Sequence, residues 1–132
     1  MQSFIKRAVL ALAFGGLSLA AAAQTVSFVA PADGATVSSP FKVKFAVSGM
    51  AVKPAGEMAP GTGHHHLIIN GSSVKSGELV PADETHLHFG KGQTETEVKL
   101  PPGQYKLTMQ FANGAHQSYG VGLSKTISVT VK

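Results

Sequence analysis

The chain contains no cysteine. Disulfide bonds therefore cannot stabilise its fold, and a domain made by this chain depends on its hydrophobic core. The same absence excludes several kinds of site built by this chain. These are a thiolate nucleophile, a blue-copper centre with a cysteine ligand, a cysteine-ligated iron–sulfur cluster and a covalently attached haem.

Charged residues are also scarce, at 14% of the sequence, and the basic ones form no cluster. Two of the eleven basic residues, Lys6 and Arg7, lie in an N-terminal segment that we expect to be removed. The remainder then carries nine basic and seven acidic residues, a net charge of +2. So small an excess gives no reason to expect nucleic acid or an anionic membrane as a partner.

The first 23 residues have the pattern of a secretory signal peptide. Lys6 and Arg7 precede an uncharged apolar run over residues 8–20, and three alanines before Gln24 provide an A-x-A cleavage site. The run is too short for a transmembrane helix, which needs about 20 apolar residues. We therefore expect a signal peptide over residues 1–23 and one exported domain over residues 24–132, periplasmic or secreted. No transmembrane anchor would remain after cleavage; an uncleaved anchor is the alternative.

Apolar and polar residues alternate with a period of two through much of the remaining sequence. The pattern is clear over residues 41–47, 104–111 and 126–131, and it predicts half-buried antiparallel strands. Turn sequences such as Asp33-Gly34 and Asn113-Gly114 separate the apolar segments. We expect strands over residues 25–30, 41–48, 64–70, 94–100, 104–111 and 124–131. This number of strands favours an all-β fold, an immunoglobulin-like antiparallel β-sandwich of about six to seven strands.

Tyr105 supports the immunoglobulin-like interpretation. It follows the corner Pro101-Pro102-Gly103 at the start of a predicted strand. A tyrosine corner, in which the hydroxyl bonds back to the backbone, is found at this place in such sandwiches. An ordinary core aromatic is the alternative, and neither interpretation gives Tyr105 a chemical role.

Six histidines fall into three groups, each beside a long loop or a turn. On a strand, His64 and His66 point to one face and His65 to the other, and His86 and His88 likewise share a face. An immunoglobulin-like order brings all three groups to one end of the sandwich. Imidazole suits zinc, copper and nickel. The sequence therefore predicts a copper or zinc site with five candidate ligands: His64, His66, His86, His88 and His116.

Other roles for these residues stay open. The histidines are alternatively a hydrogen-bonded or pH-sensing cluster, or unrelated surface residues. His65 is expected to support the metal ligands without binding the ion itself, or to stabilise the fold. Met50 and Met58 are soft donors for copper(I) but also ordinary fillers of apolar gaps. Three acidic residues are candidates to fix an imidazole tautomer: Asp83, Glu84 and Glu95. A surface role is nevertheless expected for Asp83 and Glu84.

The sequence resembles a bacterial family catalogued as domain of unknown function 4399. The resemblance lies in residues 31–37, 60–69, 81–90 and 92–95, which include the tri-histidine block and His86-Leu87-His88-Phe89-Gly90. It implies a small exported domain, alone or repeated, and no reaction. Its motif positions here are Gly63, His64, His65, His66, His86, His88, Phe89, Gly90, Gln93, Thr94 and Glu95. Asn70 and Asn113 are neutral where relatives often carry acids, which implies weaker binding if those acids hold a cation.

Three classes of function follow. The first is an exported metal-binding module that binds, buffers or delivers copper or zinc. The second is a metal-free interaction domain of the cell envelope, in which the histidines brace the loops and residues 49–63 meet an envelope protein. The third is an enzyme of the superoxide dismutase kind. We expect no enzyme, because hydrolase motifs such as G-x-S-x-G and H-E-x-x-H are absent.

Overall fold

The computed structural model describes residues 23–132, which are all-β apart from a three-residue 3-10 helix at Val121–Leu123. The predicted signal peptide over residues 1–23 lies outside the described residues except for Ala23. No helix within residues 23–132 has the length and apolar character needed to cross a bilayer.

The described strands form two sheets. One has three strands in the order β1-β3-β7, and the other has the order β2-β9-β8-β5-β4, with β6 added against β5. The strand bounds are β1 Thr25–Ala30, β2 Ala35–Val37, β3 Phe41–Ser48, β4 Ala51–Val52, β5 Thr62–Ile69, β6 His86–His88, β7 Glu95–Val98, β8 Gly103–Ala112 and β9 Ser124–Val131.

This arrangement confirms the predicted sandwich. The neighbours β1-β3-β7 and β9-β8-β5 correspond to strands A-B-E and G-F-C of the immunoglobulin fold. The Tyr105 hydroxyl donates a hydrogen bond to the Pro101 carbonyl at 2.7 Å, which is the geometry of a tyrosine corner. All six predicted strands are present, with end points that differ by at most two residues from the expected ones.

Three short strands were not predicted, and two of them pair in parallel. β2 lies parallel to β9, and β4 lies parallel to the start of β5, so the larger sheet is mixed. Strands of two or three residues show no usable alternation. They exist because a longer neighbour offers an unpaired edge.

β5 is the strand that connects the core to the candidate site. Seven of its eight residues, from Thr62 to Ile68, are buried. On its inner face His65 packs between Phe45 of the opposite sheet and Phe111 of β8, with ring centroids 4.7 and 5.0 Å away. Because side chains alternate along a strand, His64 and His66 lie on the outer face of the sheet. That face is therefore covered by other parts of the chain.

Candidate metal centre

The cover over β5 comes from two loops that pair with each other. The Val80 amide donates to the His116 carbonyl at 2.9 Å, and the Ser118 amide donates to the Glu78 carbonyl at 2.9 Å. The Ser118 hydroxyl also donates to the Val74 carbonyl at 2.7 Å. Residues 74–82 and 113–120 thus form one layer over the histidines of β5.

Gln110 fastens this layer to the sheet. It lies opposite His66 in the pairing of β8 with β5 and is fully buried. Its side-chain oxygen accepts from the Val74 amide at 3.0 Å, and its side-chain nitrogen donates to the Gly120 carbonyl at 3.0 Å. Sequence reasoning missed this residue, because a polar residue on the outer face of an alternating strand normally predicts exposure to solvent.

His88 reaches the site from β6. It pairs directly with His66 across the antiparallel β5–β6 ladder, and directly opposite residues present neighbouring side chains. Gly90 leaves room for the ring: a Cβ built there would lie 2.6 Å from His88 Nε2. The motif glycine thus permits the position that the His88 ring occupies.

His116 comes from the turn after β8. Its backbone is left-handed, with φ 63°, which is uncommon for residues other than glycine. Asn113 organises the turn, because its side-chain oxygen accepts from the amides of Ala115 and Gln117 at 2.9 and 3.0 Å. Backbone conformations of this kind are often retained at functional sites.

These elements bring four histidine nitrogens together. His64 Nε2 lies 3.1 Å from His66 Nε2, 3.1 Å from His116 Nδ1 and 3.2 Å from His88 Nε2. All four nitrogens lie within 4.8 Å of one another, and no carboxylate oxygen belongs to this group among the described residues. We call His64, His66, His88 and His116 the four-histidine cluster. His64 and His66 are buried, whereas His88 is exposed.

Three of the four cluster histidines have a lowered pKa, which favours their neutral forms. Burial, reinforced by the nearby rings of His88 and His116, lowers the pKa of His64 to about 4. Burial, and then the neighbouring His64, lowers the pKa of His66 to about 3. Partial desolvation of the His88 ring, together with His116, also lowers the pKa of His88. Neutral imidazoles have a free lone pair, which is the state that a metal ion requires.

His86 is not brought into the cluster. Its Nδ1 lies 2.7 Å from Asp83 Oδ1 at the edge of the covering loop. This hydrogen bond is the main reason why the pKa of Asp83 is lowered to about 2. In the β5–β6 ladder His86 pairs with Ile68, two residues beyond the His66–His88 pair. Two residues along a strand correspond to about 6.6 Å, which separates His86 from the cluster although it shares the strand with His88.

His65 is separated from the cluster by the alternation of β5. It is fully buried among aromatic rings, and neither ring nitrogen has a hydrogen-bond partner in the described part of the chain. Burial, with a smaller effect of His64, lowers the pKa of His65 to about 4. His65 is thus a neutral component of the apolar core.

The other motif residues predicted around the site hold the fold. Phe89 packs on Phe45 with ring centroids 5.1 Å apart, and a Cβ on Gly63 would lie 2.7 Å from the Phe111 ring. Gln93 accepts from the Lys91 amide at 2.9 Å, and the Thr94 carbonyl accepts from the Phe45 amide at 2.9 Å. These contacts belong to the aromatic core, the turn before β7 and the pairing of the β7 segment with β3.

The remaining candidates lie at surface or packing positions. Glu95 forms exposed ion pairs with Lys42 and Lys44 on the three-stranded sheet, at 4.0 and 3.8 Å. Glu84 is exposed.

The two methionines and Asn70 also have ordinary structural settings. Met50 packs against the hydrophobic core, whereas 56% of the Met58 surface is exposed. The Asn70 side chain accepts from the Lys106 amide at 3.0 Å, so it extends the pairing of β5 with β8.

Fold and site together define an all-β sandwich domain with a buried histidine cluster on the outer face of one sheet. Over residues 43–132 the chain matches the family described as a domain of unknown function (DUF4399), and it belongs to that family. The matched region contains all four histidines of the cluster. No curated protein and no solved structure matches the chain significantly.

Proposed function

We propose that this chain is an exported metal-binding domain, in which the four-histidine cluster holds one ion for binding, buffering or delivery. One observation carries the proposal: His64 Nε2 faces three other ring nitrogens at 3.1–3.2 Å. A neutral imidazole nitrogen offers either one N–H or one lone pair. It therefore makes one good hydrogen bond and not three. A cation at the centre of the cluster would use all four lone pairs at once.

The same count weighs against the metal-free alternative. A hydrogen-bonded cluster that braces loops needs alternating donors and acceptors, with each buried polar atom satisfied. Here His64 Nε2 instead meets three ring nitrogens and can form a good hydrogen bond with only one of them. The bracing of the loops is supplied instead by Gln110, Ser118 and backbone pairing.

The three distances from His64 Nε2 are close to those of a tetrahedral site, and the wider separations within the cluster, of up to 4.8 Å, would have to close as the ion binds. With metal–nitrogen bonds of 2.0–2.1 Å, a tetrahedral site has nitrogens about 3.3 Å apart. In a square-planar site each nitrogen instead has one partner across the ion, at about 4.1 Å. His64 Nε2 is nearly equidistant from all three others. Zinc is the ion that this arrangement suits best, and copper(I) is the second candidate.

Export is supported by the sequence of residues 1–23, and it is compatible with the ligand set. A site without cysteine keeps its ligands in an oxidising compartment, where thiols form disulfides. The periplasm or the cell exterior is therefore the proposed location.

Calorimetric titration of the purified protein with zinc tests the proposal. We expect one ion per chain, with affinity reduced at least 100-fold in His64→Ala and in His116→Asn. Asparagine tolerates the left-handed backbone at position 116, so this variant removes a ligand without adding strain.

His86→Ala is the matched control, because His86 lies on β6 beside His88 but outside the cluster. It should bind zinc like the unaltered protein. Weak binding of several ions, insensitive to all three substitutions, would contradict the proposal and favour an interaction domain of the cell envelope.

A further inference from the structure

A cavity of about 220 Å³ opens beside the four-histidine cluster. Three cluster histidines, His66, His88 and His116, form one side of it. The rest of its lining is one continuous segment of the covering layer, Leu79 to Ala82, all apolar. The cavity therefore has a coordinating wall and an apolar wall.

The charge of the cluster indicates which ligand would enter. Four neutral imidazoles leave the full charge of a divalent ion uncompensated, and neither the cluster nor the cavity wall contains an acidic residue. Asp83 is the acidic residue next in sequence to the apolar wall, and its carboxylate is hydrogen-bonded to His86 and Thr85. A mobile anion is therefore the group that would balance the ion.

Resting on the proposed metal site, we propose that the cavity binds a small monocarboxylate with an apolar body as an external ligand of the ion. The carboxylate would reach the ion on the side of His66, His88 and His116. The hydrocarbon body would lie against Leu79, Val80, Pro81 and Ala82. Zinc sites accept such a ligand by expanding from four to five bonds.

The size of the cavity sets the size of the ligand. An apolar protein cavity of about 150 Å³ holds a benzene molecule. The 220 Å³ here has room for a chain of four to six carbons or for one aromatic ring. Leu79 is 66% exposed, so one part of the apolar wall is open to solvent.

The test uses the protein loaded with cobalt(II), whose visible spectrum reports the number and geometry of its ligands. Acetate, butyrate and hexanoate are titrated, with azide as an anion that has no apolar body. Each methylene buried against the apolar wall strengthens binding about fourfold. We expect hexanoate to bind at least tenfold more tightly than acetate and to change the spectrum in the same way.

The variant Ala82→Phe adds an aromatic ring at an exposed position that lines the cavity. We expect it to bind cobalt normally and to lose the preference for hexanoate, while azide binding persists. Ala32→Phe, at an exposed turn outside the cavity wall, is the matched control and should keep the preference.

The outcomes separate the two proposals. Failure to bind cobalt or zinc overturns the metal site itself. Normal cobalt binding with no spectral response to any anion overturns the external ligand and leaves the metal site standing. Equal affinities for acetate and hexanoate, or an unchanged preference in Ala82→Phe, overturn the apolar part of the ligand.

Discussion

His64 is the central residue of the candidate site, because its Nε2 contacts a ring nitrogen of each of the other three histidines. It comes from the same strand as His66 and from a different element than His88 and His116. The spacing of His64 and His66 was sufficient to predict that they share a face. Which other histidines they meet in the fold depends on the order of the strands.

Gly90 offers a test at the scale of one atom. In Gly90→Ala the new methyl group would overlap the His88 ring, so the ring must move away from the cluster. Residues that orient metal ligands typically change affinity 10- to 100-fold when replaced. We expect zinc affinity to fall within this range, measured by calorimetry.

The matched control is Gly122→Ala in the 3-10 helix, where an added Cβ meets nothing within 4 Å. It should leave zinc affinity unchanged. Equal affinities in the two variants would show that the position of the His88 ring does not matter for binding.

At the residue scale, the sequence prediction included four histidines that meet and one that does not. His86 and His88 both occupy β6, so alternation alone could not separate them. The register with β5 does, since His88 pairs with His66 and His86 pairs with Ile68. Register depends on pairing across the sheet, which a single strand's sequence does not specify.

At the scale of elements, β5 differs from the other long strands. β3, β8 and β9 show the alternation from which they were predicted, because each faces solvent along at least part of one side. β5 is buried on both faces, and its sequence is a nearly continuous run of histidine and aliphatic residues. Its outer face is buried by the loops of residues 74–82 and 113–120, which carry no periodic signal.

Gln110 tests whether β8 holds these loops in place. Gln110→Leu removes the acceptor of the part-buried Val74 amide and the donor to the Gly120 carbonyl. An unsatisfied buried polar group costs about 1–3 kcal/mol. We expect the free energy of unfolding to fall by about 2–4 kcal/mol, measured by urea denaturation.

Gln104→Leu is the control, since Gln104 is the same residue type on the same strand but exposed. It should change the free energy of unfolding by less than about 0.5 kcal/mol. If both variants lose the same free energy of unfolding, the buried side chain of Gln110 does not fasten the loops.

At the scale of the whole molecule, buried neutral histidines link stability to pH. Histidines of the unfolded chain titrate near pH 6.5, whereas burial lowers the pKa of His64 and His65 to about 4 and that of His66 to about 3. Between these values the unfolded chain binds protons that the folded chain does not. The stability of the metal-free protein is therefore retained above pH 6.5 and falls as the pH drops toward 4.

Urea denaturation of the metal-free protein at pH 7.5 and pH 5 measures this effect. The fully buried His65 alone should lower the free energy of unfolding by about 2 kcal/mol over this interval. His65→Leu, which keeps an apolar side chain between Phe45 and Phe111, should show a correspondingly smaller loss. An equal loss in both proteins would mean that His65 does not contribute to the pH dependence.

The alternating burial of β5 has a consequence for how the chain finds its fold. In the observed register His65 lies opposite Phe111 and His66 lies opposite Gln110. A slip by one residue would turn every side chain of the strand to the other face. Leu67 and Ile68 are both aliphatic and discriminate weakly between the two registers. The histidines discriminate strongly, because a slip would place two rings in the apolar core and leave one on the metal side. An ion that requires His64 and His66 together would therefore also select the correct pairing of the central strand during folding.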